Sequence, residues 1–352
     1  GMQAPAEPLP QPFYGVMHVY AGNRYGGIES MLATMARSPA FAGQSYALFH
    51  RARLWEELRA AGADVVDVGP FRTRHPWQAL ALRRRLRAAL EARSIQTVVT
   101  HMSIPHALAS PVVGSRLLVY FAHEWHTGRH WSERWSKCAR RPDAVLTGSA
   151  FVAGSTHTLF PGIEPCVVYY AAEIGSPGTE ADRQAVRCEL ATPADHRVIV
   201  NAARFSPYKG NHVLLEALGA LRERGDWTAW IAGGPQSEFE ERYAAELRAR
   251  AQDLGIEGRV RFLGERRDVG RLVRAADLLC QANVGPEPFG ITFAEALGAG
   301  IPVVTSNFGG APEIVTPELG ELVPPGDARA LARALGRTLD DAEKKALVRV
   351  RG

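Results

Sequence analysis

Residues 279–315 read LCQANVGPEPFGITFAEALGAGIPVVTSNFGGAPEIV. The apolar run Leu278–Gln281 predicts a strand, Ile291–Gly298 has the spacing of a helix, and Val303–Ser306 predicts a second strand. Both strands are short and mainly apolar, without the alternation of a half-buried strand, which is typical of a parallel sheet that helices cover on both faces. This stretch therefore predicts an α/β domain.

The same alternation continues towards the N-terminus and restarts once along the 352 residues. Further predicted strands are Phe13–Tyr20, Tyr46–Phe49, Val65–Val68, Val98–Thr100, Leu117–Ala122, Ala144–Thr147, Val167–Tyr170, Val198–Ala202, Thr228–Ala232 and Val260–Leu263. Predicted helices between them include Ile28–Arg37, Leu54–Ala61, Trp77–Ala92, Gly210–Arg222 and Glu238–Leu254. We therefore expect two doubly wound, Rossmann-like parallel-sheet domains facing across a cleft.

The stretch AAEIGSPGTEADR, which starts at residue 171, is small, polar and contains Gly and Pro, as linkers do. It predicts a domain over 13–170, a linker over 171–196 and a second domain over 197–335. Residues 1–12 are expected to be a tail with a tag remnant, because Gly1 precedes Met2. Residues 336–352 are expected to be a C-terminal tail with a short helix.

Composition narrows the class of protein. Hydrophobic residues make up 46% and charged residues 22%, which is ordinary for a globular chain. There is no apolar run of ~18 residues and no CxxC pair, and we expect no signal peptide; together these favour a reducing, cytoplasmic setting. Residues 1–170 contain 18 Lys and Arg against 11 Asp and Glu, so we expect this half to meet an anionic partner.

Several common sites are excluded by spacing. The chain has no GxxxxGK[ST], no GxGxxG after its first strand and no Asp-x-Asp, which argues against P-loop, dinucleotide and metal-bridged nucleotide-sugar sites. His123-Glu-Trp-His126 is not an HExxH helix, because Thr127 stands where the second His would be needed. We therefore predict no metal site.

Three elements carry candidate chemistry. Glu287 and Glu295 flank a helix start whose residues Phe289, Gly290 and Ile291 present free amides and a positive dipole end to a phosphate. Arg204 and Lys209 follow the strand Val198–Ala202, where two cations can hold a diphosphate. Gly26 and Gly27 follow the first strand and precede the first helix.

These elements, in this order and at strand ends, resemble the retaining GT-B-fold glycosyltransferases of the large family four (group 1 type). That family's hallmark is a Glu, seven residues and a Glu, which EPFGITFAE matches with Glu287 and Glu295. The resemblance runs from roughly Val16 to Val323. It implies a metal-independent enzyme without a required cofactor, which moves a sugar with retention from a nucleotide-diphosphate donor. UDP-sugars are favoured and GDP-sugars come next.

The resemblance also implies roles for the matched residues. Arg204 and Lys209 would hold the donor diphosphate, Glu287 the transferred sugar and Glu295 the ribose. The amides of Phe289–Ile291 would help to hold the donor, and the backbone around Gly264–Arg266 would meet the base. Gly26 and Gly27 would approach the diphosphate, and His123 matches a histidine near the donor sugar.

Two departures from the family concern the ends of the second domain. Tyr170-Ala-Ala-Glu-Ile174 replaces the usual hinge sequence, and the helix that normally returns to the first domain is expected to be short or absent. Two other functions remain open for the same sequence: a nucleotide-sugar 2-epimerase and a non-catalytic sugar-nucleotide binding protein.

The acceptor is expected to be a glycan, a glycolipid or a small molecule selected by the first domain. A basic stretch there interleaves arginines with apolar residues: Arg72, Arg74, Arg83, Arg84, Arg85, Arg87 and Arg93 with Trp77, Leu80, Leu82, Leu86 and Leu90. Such a helix either lies on an anionic membrane surface or packs its Leu face on the sheet. Because no nucleic-acid motif accompanies the charge, we expect no nucleic-acid partner.

Overall fold

A computed structural model describes residues 14–173, 178–341 and 347–348. The chain divides into a first unit, Gly1–Ala171, and a second unit, Ala172–Gly352. Each unit is built on its own parallel sheet. No helix in the described ranges combines the length and the apolar composition needed to cross a bilayer.

The first unit contains a seven-stranded parallel sheet in the order β3-β2-β1-β4-β5-β6-β7. Its strands are β1 (Val16–Tyr20), β2 (Ser45–Leu48), β3 (Asp64–Asp67), β4 (Thr97–His101), β5 (Leu117–Ala122), β6 (Ala144–Thr147) and β7 (Cys166–Val167). Its helices are α1 (Gly27–Arg37), α2 (Arg53–Ala60), α3 (Gln78–Ala92), α4 (Ser103–Ala109), α5 (Trp131–Cys138) and α6 (Ala150–Ala153).

Helix α3 is the basic stretch singled out from the sequence. Leu82, Leu86 and Leu90 are fully buried in the core beside Met17 of β1, because they recur at helical spacing on one face. Packing of the Leu face on the sheet is thus confirmed for these three residues. Leu80 does not join them: it is 74% exposed.

The second unit contains a six-stranded parallel sheet in the order β10-β9-β8-β11-β12-β13. Its strands are β8 (Arg197–Ala202), β9 (Trp227–Ala232), β10 (Val260–Gly264), β11 (Leu278–Gln281), β12 (Val303–Ser306) and β13 (Gly320–Val323). Its helices are α7 (Glu180–Glu189), α8 (Asn211–Ala220), α9 (Glu238–Asp253), α10 (Val269–Ala275), α11 (Ile291–Gly298) and α12 (Ala328–Asp340). Apolar clusters cover both faces of this sheet, as the unbroken apolar strands predict.

Two predicted boundaries were wrong. The expected linker 171–196 contains α7, whose Val186 is buried in a core cluster of the second unit. The expected domain end at 335 falls inside α12, which continues to Asp340 because Leu335 and Leu339 are fully buried. Most of the predicted C-terminal tail lies outside the described residues, although Val348 is helical and buried.

Each sheet has one place where its winding reverses. In the first unit the chain moves outward from β1 through β2 to β3, and then returns to the other side of β1 with β4. In the second unit the same reversal lies between β8 and β11. In open α/β sheets ligands bind beyond the carboxyl ends of the strands at such switch points. The fold therefore marks one candidate binding site in each unit.

Candidate active site

The switch point of the second unit brings together one predicted cation and one predicted carboxylate. Lys209 follows β8, Glu287 follows β11, and the two are 78 residues apart in sequence. Lys209 Nζ donates to Glu287 Oε2 at 2.6 Å, and the side chains are only 16% and 10% exposed. A buried ion pair thus occupies the place where parallel-sheet domains bind ligands.

Two amide side chains hold the same carboxylate oxygen. Gln281 Nε2 donates to Glu287 Oε2 at 2.9 Å, and Asn283 Nδ2 donates to it at 3.1 Å. Burial alone would raise the pKa of Glu287, but Lys209 and these amides lower it below the usual value of a glutamate. Burial would likewise lower the pKa of Lys209, and Glu287 and Tyr208 raise it above its usual value. Both groups are therefore charged at neutral pH.

The loops that carry the pair are bound to each other through the backbone. The amides of Val284 and Gly285 donate to the carbonyl oxygen of Tyr208 at 2.9 and 3.1 Å. Gly210 has a φ of +73°, and a Cβ atom there would stand 1.6 Å from the carbonyl oxygen of Ala282. Only glycine permits this approach of the two loops.

A third loop holds the backbone of Glu287. The amide of Gly310 donates to the carbonyl oxygen of Glu287 at 2.6 Å, and Glu287 forms an isolated parallel bridge with Gly309. Both glycines follow β12. Three consecutive strand ends thus fix the position of this carboxylate.

Arg204, the other predicted cation, is held by a different acid. Its Nε lies 3.2 Å from Oε1 of Glu240, which is buried in the first turn of α9. Arg204 and Lys209 both follow β8, but each has its own carboxylate partner. The structure therefore places two ion pairs at this edge of the sheet.

The predicted helix start is confirmed as the N-terminus of α11. Gly290 is its N-cap with a φ of +94°, Ile291 is its first residue, and Phe289 is buried just before it. Glu295 lies one turn further along and is half-buried. The amides of the first turn are thus presented on the loop that also carries Glu287.

Gly264 ends β10, the edge strand two places from β8, and has a φ of +69°. Two strand spacings correspond to about 10 Å. The guanidinium of Arg266 donates to Asp268 at 2.7 Å and to Glu189 of α7 at 3.1 Å. The side chain of Arg266 is therefore occupied by acids, while the backbone role predicted for Gly264–Arg266 stays a prediction.

Gly26 and Gly27 lie at the carboxyl end of β1 in the first unit. Gly26 is the N-cap of α1, and its amide donates to Glu29 Oε2 at 3.0 Å. Glu29 is buried and also accepts from the hydroxyl of Tyr20 at 2.9 Å. The amide of Gly26 is therefore used inside the protein, and the first turn of α1 presents Gly27 instead.

His123 follows β5, as predicted, and ends a row of three buried imidazoles. His18 Nδ1 lies 2.9 Å from His101 Nε2, and His101 Nδ1 lies 2.8 Å from His123 Nε2. Tyr170 contacts His123 Nδ1, and His18 Nε2 lies 2.6 Å from Gln44 Oε1. Both ring nitrogens of His123 are thus engaged within the first unit.

The ends of the row determine its hydrogen-bond direction. Burial lowers the pKa of His18 to about 4 and that of His123 to about 3, so the rings are neutral at pH 7. Since Gln44 Oε1 can only accept, His18 donates to it from Nε2 and accepts at Nδ1. His101 Nε2 therefore donates to His18 Nδ1. In the same way His123 Nε2 donates to His101 Nδ1. His123 Nδ1 accepts from the hydroxyl of Tyr170. All three rings therefore carry their proton on Nε2.

Sequence reasoning missed the partners of the site residues. Gln281 and Asn283 bind Glu287, and Glu240 binds Arg204. Their polar character at a strand end and in a helix N-terminus was visible, but their partners lie far away in sequence. No group of three His, Cys, Asp or Glu in the described part of the chain could hold a metal ion.

The first unit also contains a cavity that the sequence did not indicate. Its volume is about 790 Å³, and Tyr20, His50, Met102 and Glu124 line it beyond the carboxyl ends of four strands. This is the switch point of the first unit, between β1 and β4. Its size is within the usual range of ~300–1,000 Å³ for small-molecule sites.

Comparison with known proteins places the second unit in a family. Residues 182–349 match the family described as glycosyl transferases group 1. D-inositol 3-phosphate glycosyltransferase from Corynebacterium glutamicum (strain R) is 34% identical over 179 residues, which are 49% of this chain and 42% of that enzyme. The chain thus spans less than half the length of this curated relative.

Two further proteins resemble more of the chain. The lipopolysaccharide core biosynthesis mannosyltransferase LpsB from Rhizobium meliloti is 27% identical over 71% of this chain and 70% of its own length. The crystal structure of Anabaena Alr3699/HepE in complex with UDP and glucose superposes with a TM-score of 0.84 at 25% identity, covering 96% of this chain and 93% of that one. The family and the fold expected from the sequence are confirmed. The second unit of this chain belongs to the group 1 glycosyl transferases, and its two parallel-sheet units have the GT-B fold.

Proposed function

We propose that this chain is a glycosyltransferase that moves a sugar from a nucleotide-diphosphate donor to a hydroxyl-bearing acceptor. The observation that carries the proposal is the buried Lys209–Glu287 pair at the β8/β11 switch point, next to the N-terminus of α11. This cluster lies inside residues 182–349, which match the glycosyltransferase family.

The reaction breaks the bond between the anomeric carbon and the diphosphate oxygen and forms a bond from that carbon to the acceptor oxygen. The nucleoside diphosphate leaves with the electron pair, and its oxygen takes up the proton that the acceptor hydroxyl loses. Negative charge therefore grows on the diphosphate, where preorganised donors lower the barrier most. Lys209, Arg204 and the first-turn amides of α11 are the groups of the second unit that can stabilise this charge.

Glu287 has a different task in this proposal. Lys209 and two amides hold its Oε2, so its second oxygen keeps acceptor capacity for sugar hydroxyls. The three strand-end loops keep that oxygen in place before the donor arrives, which reduces the ordering cost of binding. Glu295 is proposed to accept from the ribose, and the backbone near Gly264 to meet the base.

The finer features follow from the same site. We propose retention of configuration, with attack on the face that the leaving group vacates, and no need for a metal, since cationic side chains and amides take the diphosphate. A UDP-sugar is the favoured donor because Anabaena Alr3699/HepE was crystallised with UDP and glucose; a GDP-sugar is second.

The acceptor side rests on the first unit. We propose that its 790 Å³ cavity takes a glycan or lipid-linked acceptor, since the named relatives act on an inositol phosphate and on a lipopolysaccharide core. Trp77 and Leu80 are 67% and 74% exposed at the start of basic α3, which supports a peripheral contact with an anionic membrane. Free cysteines, three of them exposed, support a reducing cytoplasmic setting.

Calorimetric titration with UDP, GDP and ADP, with and without magnesium, tests the donor site. We expect one nucleotide to bind without metal, and Glu295→Ala to weaken it about tenfold or more, the loss of one charge-assisted contact. Glu246→Ala is the matched control, because it removes an exposed glutamate from the middle of α9. Wild-type protein that binds none of the three nucleotides would refute the proposal.

A further inference from the structure

The proposed donor site contains a conflict of charge. Lys209 is assigned to the diphosphate, yet its ammonium group lies 2.6 Å from Glu287 Oε2, so the two side chains form a pair without net charge. A diphosphate that draws Lys209 towards itself leaves Glu287 charged in a buried position, which is unfavourable unless other donors satisfy the carboxylate. The structure contains such donors in Gln281 and Asn283.

Gln281 and Asn283 are both buried beside the carboxylate. Gln281 is the last residue of β11, Asn283 follows two residues later, and they are only 3% and 2% exposed. Gln281 Nε2 donates to Asn283 Oδ1 at 2.7 Å as well as to Glu287 Oε2, and Asn283 Nδ2 donates to the same carboxylate oxygen. Turning either amide over would place oxygen against oxygen, so the network allows one orientation of each amide.

The network gives the two oxygens of Glu287 different partners. Oε2 receives one donor from Lys209 and one from each of the two amides. Among the residues that the structure describes, no hydrogen bond is made to Oε1. An ionised carboxylate accepts at both oxygens, so Oε1 is the oxygen that a hydroxyl group of a ligand can use.

The charged and titratable groups near Glu287 come from few elements. The loop after β8 contributes Lys209 and its neighbour Tyr208, whose ring centre lies 5.0 Å from Lys209 Nζ. The loop after β12 meets Glu287 through the backbone of residues 309–310, and α11 carries Glu295 as its only charged residue. Burial alone would raise the pKa of Glu287, and Lys209 together with the two amides holds it below its usual value.

We infer that Gln281 and Asn283 are positioning residues, which keep Glu287 charged and present its Oε1 to the donor sugar while the diphosphate engages Lys209. The inference rests on the proposed function and extends its donor site by two residues that act through Glu287. An ammonium group has three N–H donors, so Lys209 has further donors for phosphate oxygens, while the amides continue to satisfy Oε2. Glu287 therefore stays in place for the sugar hydroxyls instead of following the lysine.

Two substitutions at one position test the inference, because they predict opposite pH dependence. Asn283→Leu keeps the approximate volume of the side chain and removes the donor, whereas Asn283→Asp replaces the donor by a second carboxylate. Asn201→Leu is the matched control, since Asn201 is a buried asparagine of β8 whose amide donates to the carbonyl oxygen of Cys280 at 2.9 Å.

The measured quantity is the contribution of the sugar to donor binding. Calorimetry gives the dissociation constants of UDP and of UDP-glucose between about pH 5 and about pH 8, and the first divided by the second is the sugar ratio. GDP and GDP-mannose replace them if guanosine nucleotides bind and UDP does not. A change that only loosens the fold weakens both ligands and leaves the sugar ratio unchanged.

In the wild type the sugar ratio should change little over this range, because Glu287 stays charged. In Asn283→Leu it should be about tenfold smaller at neutral pH, and it should fall further on acidification, because burial is offset less and the pKa of Glu287 rises. In Asn283→Asp the two carboxylates share a proton at low pH, where the protonated one donates as the amide does, so the sugar ratio should fall as pH rises. Asn201→Leu should follow the wild type.

A sugar ratio that keeps its wild-type value in both Asn283 variants would overturn the inference, because the amides would then only support the fold. Equal weakening of UDP and UDP-glucose has the same meaning, since the ratio does not move. Gln281→Met removes the other donor and should behave as Asn283→Leu does, which keeps the test decisive if one variant does not fold. Failure of the proposed function would show separately, as wild-type protein that binds no nucleotide.

Discussion

Replacing Lys209 by methionine tests whether the Lys209–Glu287 ion pair at the β8/β11 switch point is shielded from solvent. Methionine keeps most of the length of the side chain and removes the charge that faces Glu287. The carboxylate then keeps only Gln281 and Asn283, at 2.9 and 3.1 Å. Breaking a buried pair from one side costs about 3–5 kcal/mol, because the remaining charge stays desolvated. Since two amides remain, we expect the lower end, about 3 kcal/mol at pH 8.

The pH dependence has a definite sign. In the wild type the pKa of Glu287 is lowered by folding, so the stability it contributes is present above its unfolded value and is lost as pH falls through the folded value. In Lys209→Met burial dominates and raises that pKa, so the carboxylate takes up a proton more readily on acidification. The difference in unfolding free energy between wild type and variant should therefore shrink from pH 8 to pH 5.

Hydrogen exchange of β8 and β11 is the assay, because it reports the second unit separately from the first. Lys209→Met/Glu287→Gln is the control, since it leaves a neutral amide where the single variant leaves a charge. We expect the double variant to recover about 1–2 kcal/mol of the loss. A loss below about 1 kcal/mol that does not change with pH would refute the reasoning, because a solvent-screened pair behaves in that way.

Three further substitutions test other parts of the molecule. Gly210→Ala should cost about 3 kcal/mol or more in urea unfolding, because its Cβ would meet the carbonyl oxygen of Ala282 at 1.6 Å; a loss below 1 kcal/mol would contradict the close approach. Gly27→Ala should leave stability unchanged or raise it by about 0.5–1 kcal/mol, since its Cβ meets nothing within 4 Å, yet weaken nucleotide binding. Gly258→Ala is its control, and equal nucleotide affinity in the two variants would count against a ligand at Gly27. His101→Phe should cost about 2–4 kcal/mol in urea unfolding, because both flanking imidazoles lose a hydrogen bond while buried; a neutral effect would show that the row is not a connected chain.

The alternation of apolar runs and helices was enough to predict both sheets. Leu117–Ala122, Leu278–Gln281 and Val303–Ser306 were predicted with the bounds that the structure has, because each is paired with a strand on both sides and most of its residues are buried. The predicted strand Val167–Tyr170 was less accurate: β7 is only Cys166–Val167 at the sheet edge. A strand paired on one side has weaker patterning, so its limits are harder to read.

The sequence contains a start signal for helix α7, but the Gly- and Pro-containing composition of the region led to the prediction of a linker. Its region was assigned to a linker because AAEIGSPGTEADR is small, polar and contains Gly and Pro. The same stretch holds a capping box, in which the Thr179 side chain caps the helix and the Thr179 backbone amide donates to the carboxylate of Asp182. Val186 then anchors the helix in the core. Local composition correctly indicated an interruption between the two domains, but the helix cap at Thr179 determines where that interruption ends.

The candidate site was predicted by position rather than by contact. Spacing identified Glu287 and Lys209 at strand ends, but which carboxylate meets which cation depends on the order of strands in the sheet. β8 and β11 are neighbours although 75 residues lie between the end of β8 and the start of β11, because the chain reverses its winding there. Glu240 forms an ion pair with Arg204 for the same reason, because helix α9, which follows β9, starts beside the end of β8. Side-chain partners across a switch point cannot be read from a single sequence.

The arginines of the first unit show why a count of charged residues does not identify a function. The sequence placed Arg72, Arg74 and Arg93 in one basic group, and the group as a whole pointed to an anionic partner. Folding separates them, because the carboxylate of Asp64 at the start of β3 lies 2.6 Å from Arg93, while Arg72 and Arg74 lie in the connection that follows that strand. Arg72 and Arg74 are exposed, so water solvates both guanidiniums, whereas Arg93 is only partly exposed and is paired with an acid. Because pairing and solvation are decided residue by residue in the folded chain, the excess of positive charge in this half of the sequence does not by itself identify a binding site.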